Sequence, residues 1–495
     1  MGNGLTARYV KPLEAVIADG RANPFLLDVG TSSLFKIDPV MRDALDELGR
    51  GRGEEQVILA LSEQYDKSEV AECMADVNGL KNSGCFHLPP SPATFSPDTY
   101  ELILSAFHGC TLRCIYCYGD GGNHYAGSPK VMSFDIAKRA IDYLIGEYGR
   151  GARRVTVNFT ADGEALLNFD LFKQVEQYCR SLEQSTHDGL RIRCGFVTNA
   201  TLLTDSVIDY LSQSGRDISF SMDGPPAVHD RMRRFPNGKG SYDTVWTNIQ
   251  RYRDRTGRTL RAAVVLTSLC TDFRGILTHL VEIGFQRISM KPVRAAPTQP
   301  YALNRNTLDA FKQGYSELAE FLINEALRGH VIFLQTIANH SDFLGRFLMR
   351  LLLCHRLFYR CMAPSSVLAV TANGDIYPCH DFFGIPDMKI GDVFHGVNPS
   401  KQRFLRCLRV DRKESCRNCW ARYLCGGGCY AAAWLVNGDV SIPDSAKCEL
   451  IKHLILLSMY MIGRLDAEKP EVLSFLKQTF TNAEYAAAGT RMDSP

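Results

Sequence analysis

From residue 100 onward, the apolar residues alternate between two patterns. Short runs typical of β-strands are each followed by a longer stretch with apolar residues at helical spacing. Six segments fit a strand: residues 101–107, 154–159, 190–197, 217–222, 260–267 and 287–293. Helical spacing recurs over 134–148, 172–182, 206–212, 242–252 and 273–283. This α/β alternation predicts parallel βα units arranged as a partial (β/α)6 TIM-like barrel over residues 98–300.

The segment before the barrel has a different pattern. Residues 24–30 and 33–38 predict two short strands around a Gly-Thr-Ser turn, and helical stretches follow at 40–48, 54–65 and 70–83. We therefore expect an N-terminal winged-helix-like module over 1–97. Its Pro- and Ser-rich end, residues 88–97, is the expected linker.

The segment after the barrel divides into three parts. Helical patterns at 308–327 and 343–357 predict a connector over 301–353. A cysteine-rich domain is expected over 354–460, and it opens with a β-hairpin signal around Asn373-Gly374. A C-terminal helix and tail occupy residues 461–495.

Composition narrows the classes of protein that fit. Hydrophobic residues make up 45% and charged residues 22%, and the net charge is +2. These values exclude a disordered chain and a strongly basic nucleic-acid-binding protein. The longest apolar stretch, residues 454–462, falls well short of the roughly 20 residues that cross a bilayer. Because no export signal is recognisable, we expect a cytoplasmic protein that contacts neither nucleic acid nor membrane.

The number and distribution of the cysteines indicate that the protein binds metal. Nine of the 17 cysteines lie between residues 354 and 448, and three more lie between residues 110 and 117. A chain of this length needs no disulfide staples, so the thiols are better explained as metal ligands. Cys110, Cys114 and Cys117 follow the first predicted strand closely. Three thiolates on one loop can hold three irons of a 4Fe-4S cluster and leave the fourth iron open, whereas zinc usually takes four ligands.

This Cys-x3-Cys-x2-Cys loop, with Tyr116 before its last cysteine, resembles the signature of the radical S-adenosylmethionine (SAM) superfamily. The resemblance implies that the open iron binds the amine and carboxylate of SAM, and that electron transfer cleaves SAM to a 5′-deoxyadenosyl radical. Cys110, Cys114 and Cys117 are then catalytic as well as metal ligands, and Tyr116 is a cofactor contact.

Three later segments resemble the family's SAM-binding elements, each after a predicted strand. Asp162-Gly163-Glu164 resembles a Gly-Gly-Glu element, with Asp162 in place of the first glycine. The resemblance implies that Glu164 and the carbonyl of Asp162 bind the SAM ammonium. Asn199 and the pair Ser221 and Asp223 resemble the next two elements, and Ser221 is expected near the carboxylate or ribose of the cofactor.

The later cysteines match every spacing of the SPASM extension of that superfamily, which carries auxiliary 4Fe-4S clusters. The resemblance assigns Cys361, Cys379 and Cys429 to one cluster, with Cys354 as the expected fourth ligand. If Cys354 does not bind, an open iron could accept a substrate thiolate. The second cluster is assigned to Cys416, Cys419, Cys425 and Cys448, for which zinc is the alternative. With the barrel cluster, the expected total is three 4Fe-4S clusters.

The predicted activity is that of a peptide maturase. The segment from Pro378 to Gly384 resembles maturases that install Cys thioethers, and it offers Asp381 as a base. Formylglycine-forming sulfatase maturases have an aspartate where this chain has His380. The N-terminal module resembles the peptide-recognition element of ribosomal peptide biosynthesis, which binds a leader as an added strand.

We therefore expect two partners, a ribosomally made precursor peptide or small protein and an external electron donor such as flavodoxin or ferredoxin. The leading product is a Cys thioether. The alternatives are a carbon–carbon or cyclophane crosslink, C-terminal decarboxylation and formylglycine formation. A different class, a non-catalytic iron-sulfur electron carrier or zinc scaffold, would not need Glu164 and Ser221.

Overall fold

The computed structural model describes residues 6–10, 13, 15–19, 24–87, 99–122, 130–148, 150–160, 162–185, 189–214, 218–361, 363 and 365–487. The predicted linker at 88–97 and the first residue of the predicted strand 217–222 lie outside this set. None of the described helices is long and apolar enough to cross a membrane.

The N-terminal module contains an antiparallel sheet of four strands in sequence order, followed by three helices. The strands are β1 (Thr6–Val10), β2 (Ala15–Asp19), β3 (Pro24–Asp28) and β4 (Leu34–Lys36), and the helices are α1 (Pro39–Gly49), α2 (Glu54–Leu61) and α3 (Lys67–Asn82). The strands β3 and β4 correspond to the two predicted ones, whereas β1 and β2 were not predicted. Asp38 caps α1 by accepting a hydrogen bond from the N–H of Met41.

Six parallel strands form the centre of the chain, which confirms the predicted α/β fold. In spatial order they run β10-β9-β8-β7-β6-β5. Their ranges are β5 (Thr99–Leu104), β6 (Arg154–Phe159), β7 (Arg191–Thr198), β8 (Ser219–Ser221), β9 (Leu260–Leu266) and β10 (Phe285–Pro292). Buried residues alternate along β6 and β9, so one face of each strand packs against helices.

The helices that follow the strands are α4 (Phe134–Tyr143), α5 (Phe169–Ser185), α6 (Asp205–Ser214), α7 (Pro226–Met232), α8 (Tyr242–Thr256) and α9 (Phe273–Glu282). The barrel is partial because the outer edge of β5 pairs in parallel with β11 (Val367–Val370), which belongs to the cysteine-rich domain. The central sheet therefore continues from the barrel into that domain.

The connector and the C-terminal region are mainly helical. The connector holds α10 (Leu308–Leu327), α11 (Ile332–Ile337) and α12 (Gly345–Leu352). The helix predicted over 343–357 is therefore too long, since it ends before Cys354. The C-terminal helices are α13 (Pro399–Arg406), α14 (Glu414–Arg417), α15 (Arg422–Cys425), α16 (Tyr430–Asn437), α17 (Ser445–Glu468) and α18 (Pro470–Ala487). The predicted boundary at residue 460 falls inside α17.

The predicted hairpin of the cysteine-rich domain is present. Strand β11 pairs antiparallel with β12 (Asp375–Tyr377), and β13 (Gly391–Asp392) and β14 (Gly396–Val397) extend the sheet. Four residues, 371–374, separate the two hairpin strands, rather than the two expected. Gly374 has a φ of +92°, a conformation that favours glycine.

Candidate functional site

The predicted site residues gather where the parallel strands end. Cys110 to Cys117 follow β5, the turn from Asp162 to Glu164 follows β6, Asn199 follows β7, and Ser221 closes β8. The carboxyl ends of parallel strands lie at one edge of the sheet, which is where barrel enzymes place their reactive groups. The topology thus brings these four segments to one end of the barrel.

Each thiol of the cysteine loop faces a nitrogen donor. The N–H of Leu112 donates to Cys110 Sγ at 3.5 Å, and the N–H of Gly121 donates to Cys117 Sγ at 3.4 Å. Arg233 Nη1 donates to Cys114 Sγ at 3.9 Å. Such donors stabilise thiolates, so this loop fits a 4Fe-4S cluster held by three cysteines.

Burial disfavours the thiolate forms of Cys110 and Cys114, because it raises the pKa of both side chains. It raises the pKa of Cys114 to about 12, although the charge on Arg233 acts to lower that pKa. A bound metal reverses this balance, because a coordinating thiol is deprotonated. A bound iron would therefore offset the cost of burying negative charge on this loop.

Glu164 follows Gly163, a position where only glycine fits. A Cβ atom on Gly163 would lie 1.9 Å from the carbonyl oxygen of Phe107, so the two loops are in close contact. The Glu164 carboxylate is buried and accepts hydrogen bonds from Thr198 Oγ1 at 2.7 Å and from the N–H groups of Asn199 at 2.8 Å and Leu166 at 3.1 Å. It thereby ties the end of β6 to the end of β7.

Asn199 links that carboxylate to the cysteine loop. Its Nδ2 donates to Cys110 Sγ at 3.4 Å and to Thr111 Oγ1 at 3.1 Å, while its backbone N–H donates to Glu164. Ser221 is half-buried at the last position of β8. Both residues lie at the strand ends, where the sequence places them.

Asp223 belongs to a buried network that also contains Tyr116. The hydroxyl of Tyr116 donates to Asp223, and Arg233 Nε donates to the same carboxylate oxygen at 3.0 Å. The other carboxylate oxygen accepts the N–H of Val265 at 3.0 Å. Arg233 was not predicted as a site residue, yet its guanidinium lies 5.4 Å from the Tyr116 ring centroid and reaches Cys114.

The thiols of the cysteine-rich domain fall into two electrostatic groups. Burial raises the pKa of Cys448, and the thiols of Cys425, Cys416 and Cys419 raise it further. Burial also raises the pKa of Cys361 to about 11, with the next contribution from Cys429. The thiol of Cys361 in turn contributes to the raised pKa of Cys379, after burial and Asp381.

The assigned ligand sets correspond to these two groups, with four thiols in one and three in the other. Like charges that raise each other's pKa in this way would be neutralised by bound cations. The donor sets therefore fit a metal cluster at each position.

Cys354 lies at the boundary with the N-terminal module. It is exposed, its φ is +52°, and Ser33 Oγ donates to its sulfur at 3.7 Å. Arg356 Nη1 donates to the carbonyl oxygen of Gly30 at 3.4 Å, in the turn before β4. The expected fourth ligand thus contacts a module that carries no other predicted ligand.

Asp381 is buried beside Cys379. Its Oδ2 lies 2.9 Å from Arg294 Nη1, and its Oδ1 has no hydrogen-bond partner among the described residues. Burial acts to raise its pKa, but Arg294 and His380 hold the pKa of Asp381 below its usual value. The carboxylate is therefore ionised at neutral pH, and its Oδ1 lies 3.6 Å from His380 Nε2.

The barrel, the cysteine loop and the clustered thiols are together typical of an iron-sulfur enzyme. The model of the Radical SAM superfamily matches residues 104–269, and the SPASM iron-sulfur cluster-binding domain matches residues 361–420. Residues 104–269 therefore match a radical SAM domain and residues 361–420 a SPASM domain, which confirms that part of the sequence interpretation.

The chain is similar to several curated proteins and solved structures. An uncharacterised protein of Archaeoglobus fulgidus is 25% identical over 78% of this chain and 87% of its own length. The cysteine-type anaerobic sulfatase-maturating enzyme of Clostridium novyi is 22% identical over 71% of this chain and 92% of its own. The structure of native anSMEcpe with bound AdoMet matches with a TM-score of 0.61 and 19% identity, over 76% of this chain and 99% of that chain. At that identity the structural likeness shows the fold alone.

Proposed function

We propose that this chain is a radical SAM maturase that oxidises a peptide or small protein and installs a Cys thioether. The observation that carries the proposal is the grouping of the cysteines, three at the strand ends of the barrel and seven in two sets in the SPASM domain. A non-catalytic electron carrier would not need the buried strand-end network of Glu164, Asn199 and Asp223.

The chain's own residues have distinct proposed roles. Cys110, Cys114 and Cys117 hold the first cluster, and Glu164 and Asn199 shape the SAM site beside it. The second and third clusters are held by the two sets of SPASM cysteines. When bound, the first cluster and SAM supply a 5′-deoxyadenosyl radical, and the other two supply an electron acceptor.

A thioether forms when a substrate carbon loses a hydrogen atom and a peptide cysteine loses the proton and one electron of its S–H bond. When bound, SAM would supply the radical that takes the hydrogen atom, and the auxiliary clusters would supply an acceptor for the electron, which an external protein such as flavodoxin or ferredoxin would remove. The proton goes to a base, for which we propose Asp381. Arg294 keeps that carboxylate ionised, and Oδ1, which has no hydrogen-bond partner among the described residues, is the proposed accepting atom.

We further propose that the N-terminal module binds the leader of the precursor at β4. Of the two strands predicted in this module, at residues 24–30 and 33–38, the first is an inner strand, because β3 lies between β2 and β4. In the described part of the chain β4 is an outer strand. The N–H of Ile37 donates to the carbonyl oxygen of Pro24, and the carbonyl oxygen of Ser33 accepts from Asp28. Because backbone groups alternate in direction along a strand, those of Leu34 and Lys36 point away from β3.

Replacing Lys36 with proline should weaken leader binding about tenfold, since it removes an outward N–H that an added strand would use. The variant Lys36→Ala keeps that N–H and is the matched control. The measurement is titration of full-length and leaderless forms of a cysteine-bearing precursor peptide encoded beside this chain's gene. Equal affinity of Lys36→Pro and Lys36→Ala for the full-length peptide would refute leader binding at β4.

Formylglycine formation is the second candidate, because the named curated relatives include cysteine-type and serine-type sulfatase-maturating enzymes. The two products differ in whether the cysteine sulfur is kept. A thioether keeps the cysteine sulfur and loses two hydrogen atoms, whereas formylglycine made from cysteine loses the sulfur and gains an aldehyde. In place of the aspartate of formylglycine-forming maturases, this chain has His380, with Asp381 next to it.

Anaerobic turnover of the reconstituted enzyme separates the candidates. The probes are the precursor peptide and the Cp18Cys peptide found with anSMEcpe. We expect 5′-deoxyadenosine with SAM alone, and loss of two hydrogen atoms from the precursor with no free thiol remaining. An aldehyde on Cp18Cys, detected by hydrazide labelling, would establish formylglycine formation instead. Absence of 5′-deoxyadenosine under reducing conditions would refute radical SAM chemistry.

A further inference from the structure

A buried hydrogen-bonded pair lies beside the SAM site, and neither the cysteine signature nor the SPASM spacing accounts for it. His108 Nδ1 lies 2.6 Å from Asp162 Oδ2, and Ser105 Oγ donates to Asp162 Oδ1 at 2.7 Å. His108 and Asp162 are 1% and 3% exposed. The sequence resemblance implied a role only for the carbonyl of Asp162. The role of the Asp162 carboxylate is therefore still unassigned.

The far side of the histidine ring reaches the SPASM domain. The N–H of Ala372, in the hairpin between β11 and β12, donates to His108 Nε2 at 3.2 Å. A backbone N–H can only donate, so Nε2 is the acceptor and Nδ1 carries the proton that is donated to Asp162. The ring also packs edge-on against Phe383, with centroids 6.4 Å apart. Asp162 therefore fixes the one tautomer of neutral His108 that can hold the hairpin.

The same pair is packed against both loops of the SAM site. Asp162 precedes Gly163, whose close contact with Phe107 leaves no room for a side chain. The N–H of Glu164 donates to the carbonyl oxygen of Gly109 at 2.8 Å. A Cβ atom on Gly119, two residues after Cys117, would lie 2.7 Å from Asp162 Cβ. Asp162 is thus packed against the cluster loop through its backbone and Cβ atom, and its carboxylate is joined to the SPASM hairpin through His108.

We propose that Asp162 and His108 form a positioning pair that holds the SAM-binding turn in register with the SPASM domain. The inference rests on the proposed function, because it concerns the alignment of the radical site with the auxiliary-cluster domain. Neither side chain is assigned a chemical step. Asp162 acts by setting the tautomer of His108, and His108 acts by anchoring the N–H of Ala372. Loss of Asp162 would let the ring carry its proton on Nε2, where it would face another donor.

The test uses the anaerobically reconstituted full chain and three variants. Asp162→Gly introduces the residue that the related element has and removes the acceptor of His108. Asp162→Asn keeps an oxygen that can accept from Nδ1 and serves as the conservative rescue. Glu176→Gln is the control, since Glu176 is a buried carboxylate on α5 that binds Arg180 and Tyr210 away from the site.

The readouts are hydrogen exchange of the segment 367–377 and the SAM dissociation constant. We expect Asp162→Gly to speed exchange of the hairpin amides about tenfold and to weaken SAM binding several-fold, while Asp162→Asn stays near the wild type. Glu176→Gln should change neither quantity. Hairpin exchange unchanged in Asp162→Gly, or raised equally in Glu176→Gln, would overturn the inference.

The double variant Asp162→Gly with His108→Phe separates positioning from a cost to stability alone. Removing both side chains also removes the ring N–H that would lack an acceptor, so part of the global stability should recover, although Ser105 Oγ and the N–H of Ala372 each lose an acceptor. The anchor on Ala372 is still lost, and fast hairpin exchange should persist. Recovery of slow exchange would show that the pair has no positioning role. Failure of the proposed function is distinct, because it would appear as wild-type protein that forms no 5′-deoxyadenosine.

Discussion

Replacing Cys110, Cys114 and Cys117 together with alanine is expected to abolish SAM cleavage and to remove about four of about twelve iron atoms. All three sulfurs lie on the loop after β5 and accept hydrogen bonds from nitrogen donors there. The measurement is iron content per chain after anaerobic reconstitution, together with 5′-deoxyadenosine formed from SAM under reducing conditions.

Two comparisons make this result specific. Alanine at Cys179, Cys194 and Cys270, which lie in or beside the barrel core, should leave iron content unchanged. Alanine at Cys416, Cys419, Cys425 and Cys448 should remove about four other irons. The enzyme should still cleave SAM in the absence of a peptide substrate. Zinc in place of iron at that second group would contradict two auxiliary clusters. Residual 5′-deoxyadenosine from the loop variant would contradict the assignment of Cys110, Cys114 and Cys117.

The barrel strands could be predicted because their burial alternates. Strand β6 was predicted with its correct bounds, Arg154–Phe159, since every second residue is buried. The described residues of β2, by contrast, are buried on both faces, so its short apolar run carries no period that separates a strand from a helix. The pairing of β11 with β5 joins residues 367–370 to residues 101–104. A contact between such distant segments leaves no local pattern.

The site residues also divide into those that could be predicted from the sequence and those that could not. The cysteine ligands could be recognised from the sequence because one cluster needs several thiols close together, and that requirement appears as a fixed spacing between cysteines. His108 and Arg233 were not recognised, because each acts through partners that sequence does not bring near. His108 contacts Asp162 across 54 positions and Ala372 across 264. Arg233 is ten residues from Asp223, but what marks it as a site residue is its contact with Cys114, 119 positions away.

Replacing Glu164 with glutamine is expected to weaken SAM binding about tenfold to a hundredfold without changing iron content. The proposed partner of the carboxylate is the SAM ammonium, and a charge-assisted hydrogen bond of this kind contributes about 1.5–3 kcal/mol. The substitution also affects the chain itself. Glu164 accepts from Leu166, Thr198 and Asn199, and the amide nitrogen of glutamine would face one backbone N–H that can only donate.

Equilibrium binding of SAM to the reconstituted enzyme measures the effect of Glu164→Gln. Glu183→Gln is the matched control, because Glu183 also accepts a backbone N–H, that of Ile192, but at the opposite end of β7. The control should bind SAM as the wild type does. If Glu164→Gln loses iron along with affinity, the carboxylate acts mainly through Asn199 and the cysteine loop. If affinity stays normal, the ammonium is bound elsewhere, and Glu164 serves only to join β6 to β7.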